Sequence, residues 1–453
     1  MLFRFLAHLY RPISIAPLVT FRVLFGIMMF LGTLRFWMKG WITDLYVTPK
    51  FHFTYMGFEW VHPFNTTGMH LVFGLMLLST VFISLGFLYR AAILTFFVLF
   101  SYVELIDVTN YLNHYYFISL VAFLMIWLPS NRYLALDVYF NPEIKRTQVP
   151  LWTVGIVRLQ IALVYFFAGL AKLNFDWLIE AMPMKIWLPA KSYLPVVGHF
   201  LFEPWVAYLF SWFGAVYDLL IAFFLISGKT RPFAYLFVVG FHVSTAIFFP
   251  EIGMFPYIMI VGSLIFLSSA FHQKILDWFS KSQQMKIATA NQSYSWHAWP
   301  GNYLISLLLS IYFLLQLVIP MRYLFYPGKL FWVEEGYRFS WRVMLMEKSG
   351  IAFFYVKEPA TGRTYEVNNK EYLTSLQEKM MSTQPDLILQ YARYLKKEYQ
   401  KKGIDDPAIF AKCYVTLNGQ RSRPFVDTAV DLSRQQVSFK HYNWVLPYAV
   451  HEK

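Results

Sequence analysis

The chain has 453 residues, 57% of them hydrophobic and only 14% charged, with a mean hydropathy of +0.44, a balance that excludes an ordinary soluble globular protein and points to a polytopic membrane protein. Its formal net charge of +13 and pI near 9.4 fit loops facing anionic lipid, and no nucleic-acid motif accompanies them. The single cysteine, Cys413, excludes an intramolecular disulfide and any CxxC metal or redox site.

In chain order, the start MLFRFLAHLYRP reads as a short amphipathic lead into an uncleaved first span, because no small-residue cleavage site precedes a long apolar run. Windows of about 20 apolar residues predict spans near 17–39, 68–88, 91–107, 114–129, 152–172, 206–226, 232–249, 254–270 and 302–320. The expected fold is therefore a polytopic α-helical membrane protein with about nine transmembrane helices over residues 1–320. With a cytoplasmic N-terminus, eleven basic residues fall inside (Arg4, Arg11, Arg90, Arg132, Lys145, Arg146, Lys229, Arg231, Lys274, Lys281, Lys286). Only four fall outside before the tail: Lys39, Lys50, Lys185 and Lys191. An odd number of spans then puts everything after Arg322 on the outer side.

The segment 177–204 is apolar but broken by Pro183, Pro189, Pro195 and Pro204, and reads as re-entrant or interfacial. From 321 to 453 charges rise and long apolar runs vanish, so this tail is expected to be an extramembrane α+β domain. FFYVKEPATGRTYEV predicts two strands about a glycine-containing turn, KCYVTLNGQRSRPFVD a further hairpin, and DLILQYARYLKKEYQKKG an amphipathic helix stopped at Gly403.

The fifth span carries Arg158, Gln160, Tyr165 and Lys172. Seven-residue steps set Arg158, Tyr165 and Lys172 on one helical stripe, and ionisable groups inside a span cost about 2.5–3.5 kcal/mol each, a cost usually tolerated for function. The drawn topology brings Lys172, Asn113, His114, Asp107, Glu104, Arg35 and His242 towards the outer face. A desolvated lysine with histidines and carboxylates around one apolar cavity has the makings of a general base. The plainer readings are a snorkelling anchor for Lys172, an interfacial belt for His114, and a structural pairing of Arg35 with Asp107 or Glu104. No His/Asp/Glu set has metal-ligand spacing inside a span, and there is no nucleophile elbow, P-loop or dinucleotide fingerprint.

The run VPLWTVGIVRLQIALVYFFAGLAKLNFDW, residues 149–177, resembles the central signature of the vitamin K-dependent gamma-carboxylase family and its bacterial relatives with the horizontally transferred transmembrane domain. RVLFGIMM at 22–29, NHYY at 113–116, FHVSTAIFFPEIGMF at 241–255, GYRFSW at 336–341, LILQYARYL at 387–395 and VTLNGQRSRPFVDTAVDL at 415–432 match in the same order. The resemblance implies a membrane-embedded enzyme in which Lys172 deprotonates vitamin K hydroquinone, derived from phylloquinone or menaquinone. Dioxygen then generates a strong base that removes a γ-proton from peptidyl glutamate, and carbon dioxide adds to give γ-carboxyglutamate and the vitamin K epoxide. By the same match His114 is catalytic beside Lys172, and Asn113, Arg158, Tyr165, His242 and Asp107 belong to the cofactor pocket. Tyr337, Trp341 and Lys348 fall on the substrate side, where a Glu-containing protein or peptide is the expected partner.

Two features depart from the animal members. The run after Trp341 is WRVMLMEK, with Met346 and Lys348 where those enzymes carry a histidine and an arginine implicated in glutamate binding, and the cysteine pair joining membrane and lumenal parts is absent. Two alternatives follow: a quinone-dependent oxygenase or epoxidase without glutamate carboxylation, or a non-catalytic quinone- or lipid-binding scaffold. The expected location is a bacterial inner membrane with a periplasmic tail, or the endoplasmic reticulum with a lumenal tail in a eukaryote.

Overall fold

The computed structural model describes residues 8–281 and 302–448. Arg4, Lys286 and the side chain of Lys281, three of the basic residues expected inside, lie outside the described residues. The membrane part is built from α1 (Ala16–Met38), α2 (Thr66–Leu85), α3 (Tyr89–Ile106), α4 (Asn113–Trp127), α5 (Leu151–Lys172), α6 (Pro204–Ile226), α7 (Arg231–Phe248), α8 (Phe255–Ser263), α9 (Ser269–Lys281) and α10 (Asn302–Val318). Among the described residues seven helices are long and apolar enough to cross a membrane: α1, α2, α3, α5, α6, α7, and α10 with its continuation to Phe325.

Two of the nine expected spans differ from straight membrane helices. α4 has 15 residues, about 22 Å at 1.5 Å per residue, short of the roughly 30 Å hydrocarbon core. The eighth stretch is broken: α8 runs on in a tight turn to Phe266, and the chain then bends by 107° into α9. Hydropathy registers the composition of such a stretch but not its direction. The break frees backbone carbonyls, and Arg158 supplies donors to them, Nε to the Ile265 oxygen at 2.9 Å and Nη2 to that of Leu267 at 3.5 Å.

Buried Arg22 is a second internal tie. Its guanidinium donates to the carbonyls of Ser130, Ser84 and Leu134, joining α1 to two turns at the end of the bundle away from the tail. At that same end the short strands β1 (Pro12–Ser14) and β2 (Gln148–Pro150) pair antiparallel.

The tail forms a four-stranded antiparallel sheet in the order β4-β3-β5-β6, from β3 (Lys348–Lys357), β4 (Thr364–Glu366), β5 (Ala408–Leu417) and β6 (Arg423–Pro424). Both predicted hairpins are present. Alternate residues Ile409, Ala411, Cys413 and Val415 are buried, the period-2 signature of a one-sided sheet. α11 (Ser375–Met381) and α12 (Pro385–Lys401), the predicted amphipathic helix, pack against it, and Gly403 follows α12 with φ +93°, a left-handed stop that suits glycine.

Three loops expected on the outer face meet this tail. Lys50 Nζ donates to the Glu371 carbonyl, Gln390 brackets the Thr54 backbone, Gln377 reaches Asp107, and Asp176 accepts from Lys329 and Asn418. The segment 177–204 is a run of short turns wedged between α6 and the tail. Trp187 Nε1 donates to Glu347 Oε2 at 2.5 Å, and Tyr208 OH donates to the Ile179 carbonyl at 2.8 Å, so the segment is tied to both.

Candidate active site

The site begins with a close approach of two helices. A Cβ on Gly169 of α5 would stand 2.5 Å from the backbone nitrogen of Leu219 and 2.9 Å from the carbonyl carbon of Asp218, both in α6. Only glycine allows that approach, and it brings the next turn of α5 against Asp218. Lys172 Nζ lies 2.5 Å from Asp218 Oδ2, both side chains less than a tenth exposed, and reaches back to the Ala168 carbonyl at 3.4 Å. Trp177 holds its ring 5.6 Å from the ammonium and is itself fixed by Nε1 donating to the Ser211 carbonyl at 2.7 Å.

Lys172 and Asp218 sit in the wall of a cavity of about 750 Å³ enclosed by α5, α6, α7 and α8. Tyr165, one of the expected cofactor residues, lies two turns deeper. Its hydroxyl is hydrogen-bonded to His242 Nε2 at 3.0 Å and Ser263 Oγ at 3.2 Å. His242, only 1% exposed, has no partner for Nδ1 among the described residues. The rest of the wall is mostly phenylalanine and aliphatic, and it includes Leu209, Phe213, Leu236 and Phe237, which are also exposed on the lipid-facing surface of α6 and α7. The cavity therefore opens sideways into the bilayer between these two helices.

The expectation of one shared cavity for Lys172 and His114 is corrected. His114 lines a separate void of about 60 Å³ with Arg35, Glu104, Tyr46 and Tyr115. α8 is the partition, because positions four apart share a helical face: Met254 and Ile258 face the small void, Phe255 and Met259 the large one. The Phe255 ring stands 6.1 Å from His114 and 5.9 Å from His242. No pairing of Arg35 with a carboxylate is found among the described residues. Its guanidinium lies 5.0 Å over Trp41 instead.

Three further residues expected at the pocket, and Lys348 expected on the substrate side, are engaged elsewhere. Arg158 clamps the bend after α8 and does not line the large cavity. Asp107 accepts from His52 Nδ1 at 3.2 Å, from the Thr109 amide and hydroxyl at 2.9 and 2.7 Å, and from Gln377 Nε2 at 2.9 Å, a clasp between membrane part and tail. Asn113 accepts from Tyr111 and donates to the Arg342 carbonyl at 3.1 Å, another such tie. Lys348 donates to the Trp332 carbonyl and to Glu334 Oε1, both 2.7 Å away, and burial pushes its ammonium below the ordinary lysine value against the pull of Glu334.

Of the other residues expected on the substrate side, Tyr337 donates to the Arg342 carbonyl and Trp341 stacks on Tyr116 at 5.0 Å. Among the described residues the tail touches the large cavity through Val343 and Met344. Asp218, the counter-charge of Lys172, was legible but passed over: it is the one acid in an otherwise apolar span, a feature that by itself marks a candidate site. Ser263 and Gly169 carry no such signal.

Two domain families match the chain in succession. The HTTM domain family covers residues 10–271, and the vitamin K-dependent gamma-carboxylase lumenal domain covers residues 301–451. No solved structure matches the chain.

Proposed function

The chain belongs to the vitamin K-dependent gamma-carboxylase family, and on that premise we propose that it converts peptidyl glutamate to γ-carboxyglutamate at the expense of vitamin K hydroquinone, dioxygen and carbon dioxide. The carrying observation is a buried lysine–carboxylate pair in the wall of an apolar cavity that opens to lipid. The cavity volume falls in the usual range for small-molecule sites, about 300–1,000 Å³, and its aromatic walls suit a naphthoquinone ring. The lateral opening suits a prenyl tail arriving from the bilayer. His242, whose Nδ1 has no partner among the described residues, stands in the wall of the cavity.

When bound, the hydroquinone would supply the reducing equivalents and, with dioxygen, the strong base for the γ-proton. The protein's own share begins with the Lys172–Asp218 pair, which handles the proton of a ligand hydroxyl. Tyr165, itself hydrogen-bonded to Ser263, fixes the orientation of His242, while the phenylalanine wall keeps out the water that would quench a strong base. His114 stands in the neighbouring void, behind Phe255, and takes no direct part in this proton handling.

A second reading, a quinone epoxidase without carboxylation, is favoured by one observation. Tyr337, Trp341 and Lys348 are engaged within the tail and its docking surface, and among the described residues the tail brings apolar Val343 and Met344 to the cavity. One assay separates the readings: epoxide formation from phylloquinol or menaquinol by the detergent-solubilised chain, with labelled carbon dioxide incorporation into Glu peptides measured in parallel. Carboxylation is expected with epoxide, and Lys172→Ala is expected to lower both about 10²- to 10⁴-fold, the usual worth of a positioned proton-transfer group. Epoxide with no carboxylated peptide supports the second reading, and no hydroquinone consumption at all refutes both.

A further inference from the structure

We propose that Gly240 determines which quinones this chain accepts: the isoprenoid tail leaves the large cavity for the bilayer across α7 at Gly240 and Ser244, through a notch that a larger side chain would shut. The inference rests on the quinone reading above and adds to it a residue that sets specificity.

Most of the cavity wall offers the tail no way out. Val164, Tyr165 and Ala168 of α5 and Met259 of α8 are buried. Between α6 and α7, Phe210 and Phe248 meet with ring centroids 5.1 Å apart, and further back along α7 Phe241 stacks on Tyr217 at 4.0 Å and stands 6.2 Å from Phe213. The wall thins at α7 itself. Gly240, Val243 and Ser244 line the cavity and are also exposed on the lipid-facing surface. Gly240 and Ser244 stand four residues apart, hence on one helical face, and are the two smallest residues that α7 gives to the wall.

Two glycines line the cavity, and their surroundings differ. A Cβ on Gly214 would lie 3.8 Å from Lys172 Cε and from Trp177 Cζ2, so its neighbours already fill that space, whereas a Cβ on Gly240 would have nothing within 4 Å. Glycine in a membrane helix ordinarily lets a second helix come close, and inside a helix it destabilises relative to alanine. No helix uses the space at Gly240. What the missing side chain leaves there is an opening in the wall.

A ring seated against Lys172 and Trp177 carries a tail that must run on past the wall when it has many isoprene units. Lipid chains are as apolar as that tail, so its passage from bilayer to notch adds little affinity by itself. The notch selects by what it lets through. A bulky residue at this position would reject tailed quinones by collision and leave the seat of the ring untouched.

The test reads binding and needs no turnover. The full chain in detergent is heated with menadione, the bare naphthoquinone ring, or with a menaquinone that bears a polyprenyl tail on the same ring. For each, the concentration giving a half-maximal rise in unfolding temperature is measured. Both quinones are expected to stabilise the unsubstituted chain. Gly240→Phe is expected to raise the menaquinone concentration at least about tenfold and to leave that of menadione within about twofold. Ile247→Phe is the control, because Ile247 is 54% exposed on the same helix and is not among the residues lining the cavity. It is expected to change neither value.

Equal weakening of both quinones in Gly240→Phe overturns the proposal, as does undiminished menaquinone binding. If Gly240→Phe does not fold, Ser244→Phe, one turn along the same face, decides by the same two readings. A chain that neither quinone stabilises refutes the proposed function together with this inference, whereas one that binds both and ignores the Gly240 substitution refutes the inference alone.

Discussion

Gly169→Ala tests whether the contact between α5 and α6 sets the active geometry. The added methyl would sit 2.5 Å from the Leu219 nitrogen, 2.8 Å from Leu219 Cγ and 2.9 Å from the Asp218 carbonyl carbon. Ordinary contact begins at 3.4 Å, so the shortfall is about 0.9 Å, and the nearest obstacle is backbone that cannot swing aside. The helices must part by about that amount, stretching the 2.5 Å Lys172–Asp218 contact. Overpacking of this kind costs about 1–3 kcal/mol, and a misplacement near 1 Å at reacting groups costs about 10²-fold in rate. Gly155, on the same helix with nothing within 4 Å of its Cβ position, is the control. Its change to Ala is expected to leave turnover unchanged and to stabilise by about 0.5–1 kcal/mol. Epoxide formation and thermal unfolding of the two variants, measured side by side, decide the matter. Equal turnover and equal unfolding temperatures in the two would refute the reasoning.

Two further predictions concern the tail. Asp107→Ala strips the acceptor from His52, Thr109 and Gln377, leaving buried donors unsatisfied at about 1–3 kcal/mol each. Protease should then release the region after α10 faster than in the unsubstituted chain, and an identical digestion pattern would show that the clasp does not hold the tail. Lys348→Met concerns pH. With the folded-state pKa of Lys348 lowered by burial, an unfolded chain holds the proton that the folded one has released across the window from that lowered value up to 10.5. Stability conferred by this site therefore rises with pH through the window. The stability difference between the unsubstituted chain and Lys348→Met is expected to move in favour of the former as pH climbs towards 10.5, and a flat difference would refute the assignment.

The stripe on the fifth span shows how far sequence reading reaches. Lys172 and Tyr165 do face the cavity, because both lie on the face of α5 turned to α6, α7 and α8. Arg158 stands on the same stripe but below the floor of the cavity, where the bend after α8 claims it. A seven-residue step fixes a direction around a helix and does not fix what lies opposite. Asp107, expected in the cofactor pocket, and Lys348, expected on the substrate side, are engaged elsewhere for a related reason: their partners Gln377 and Glu334 come from elements whose docking no local pattern encodes.

By itself the sequence determined the membrane class, the positions of the long helices, the strands and amphipathic helix of the tail, and the residues that carry unusual charge within apolar runs. Those depend on composition and short-range periodicity, which act within a few turns of chain. Only the tertiary structure decided that Lys172 is ion-paired to Asp218, that Phe255 and the thickness of one helix divide His114 from the large cavity, and that the eighth span bends instead of crossing straight. Each of these turns on how closely two distant segments approach. At Gly169 that approach is set by the absence of a single methyl group.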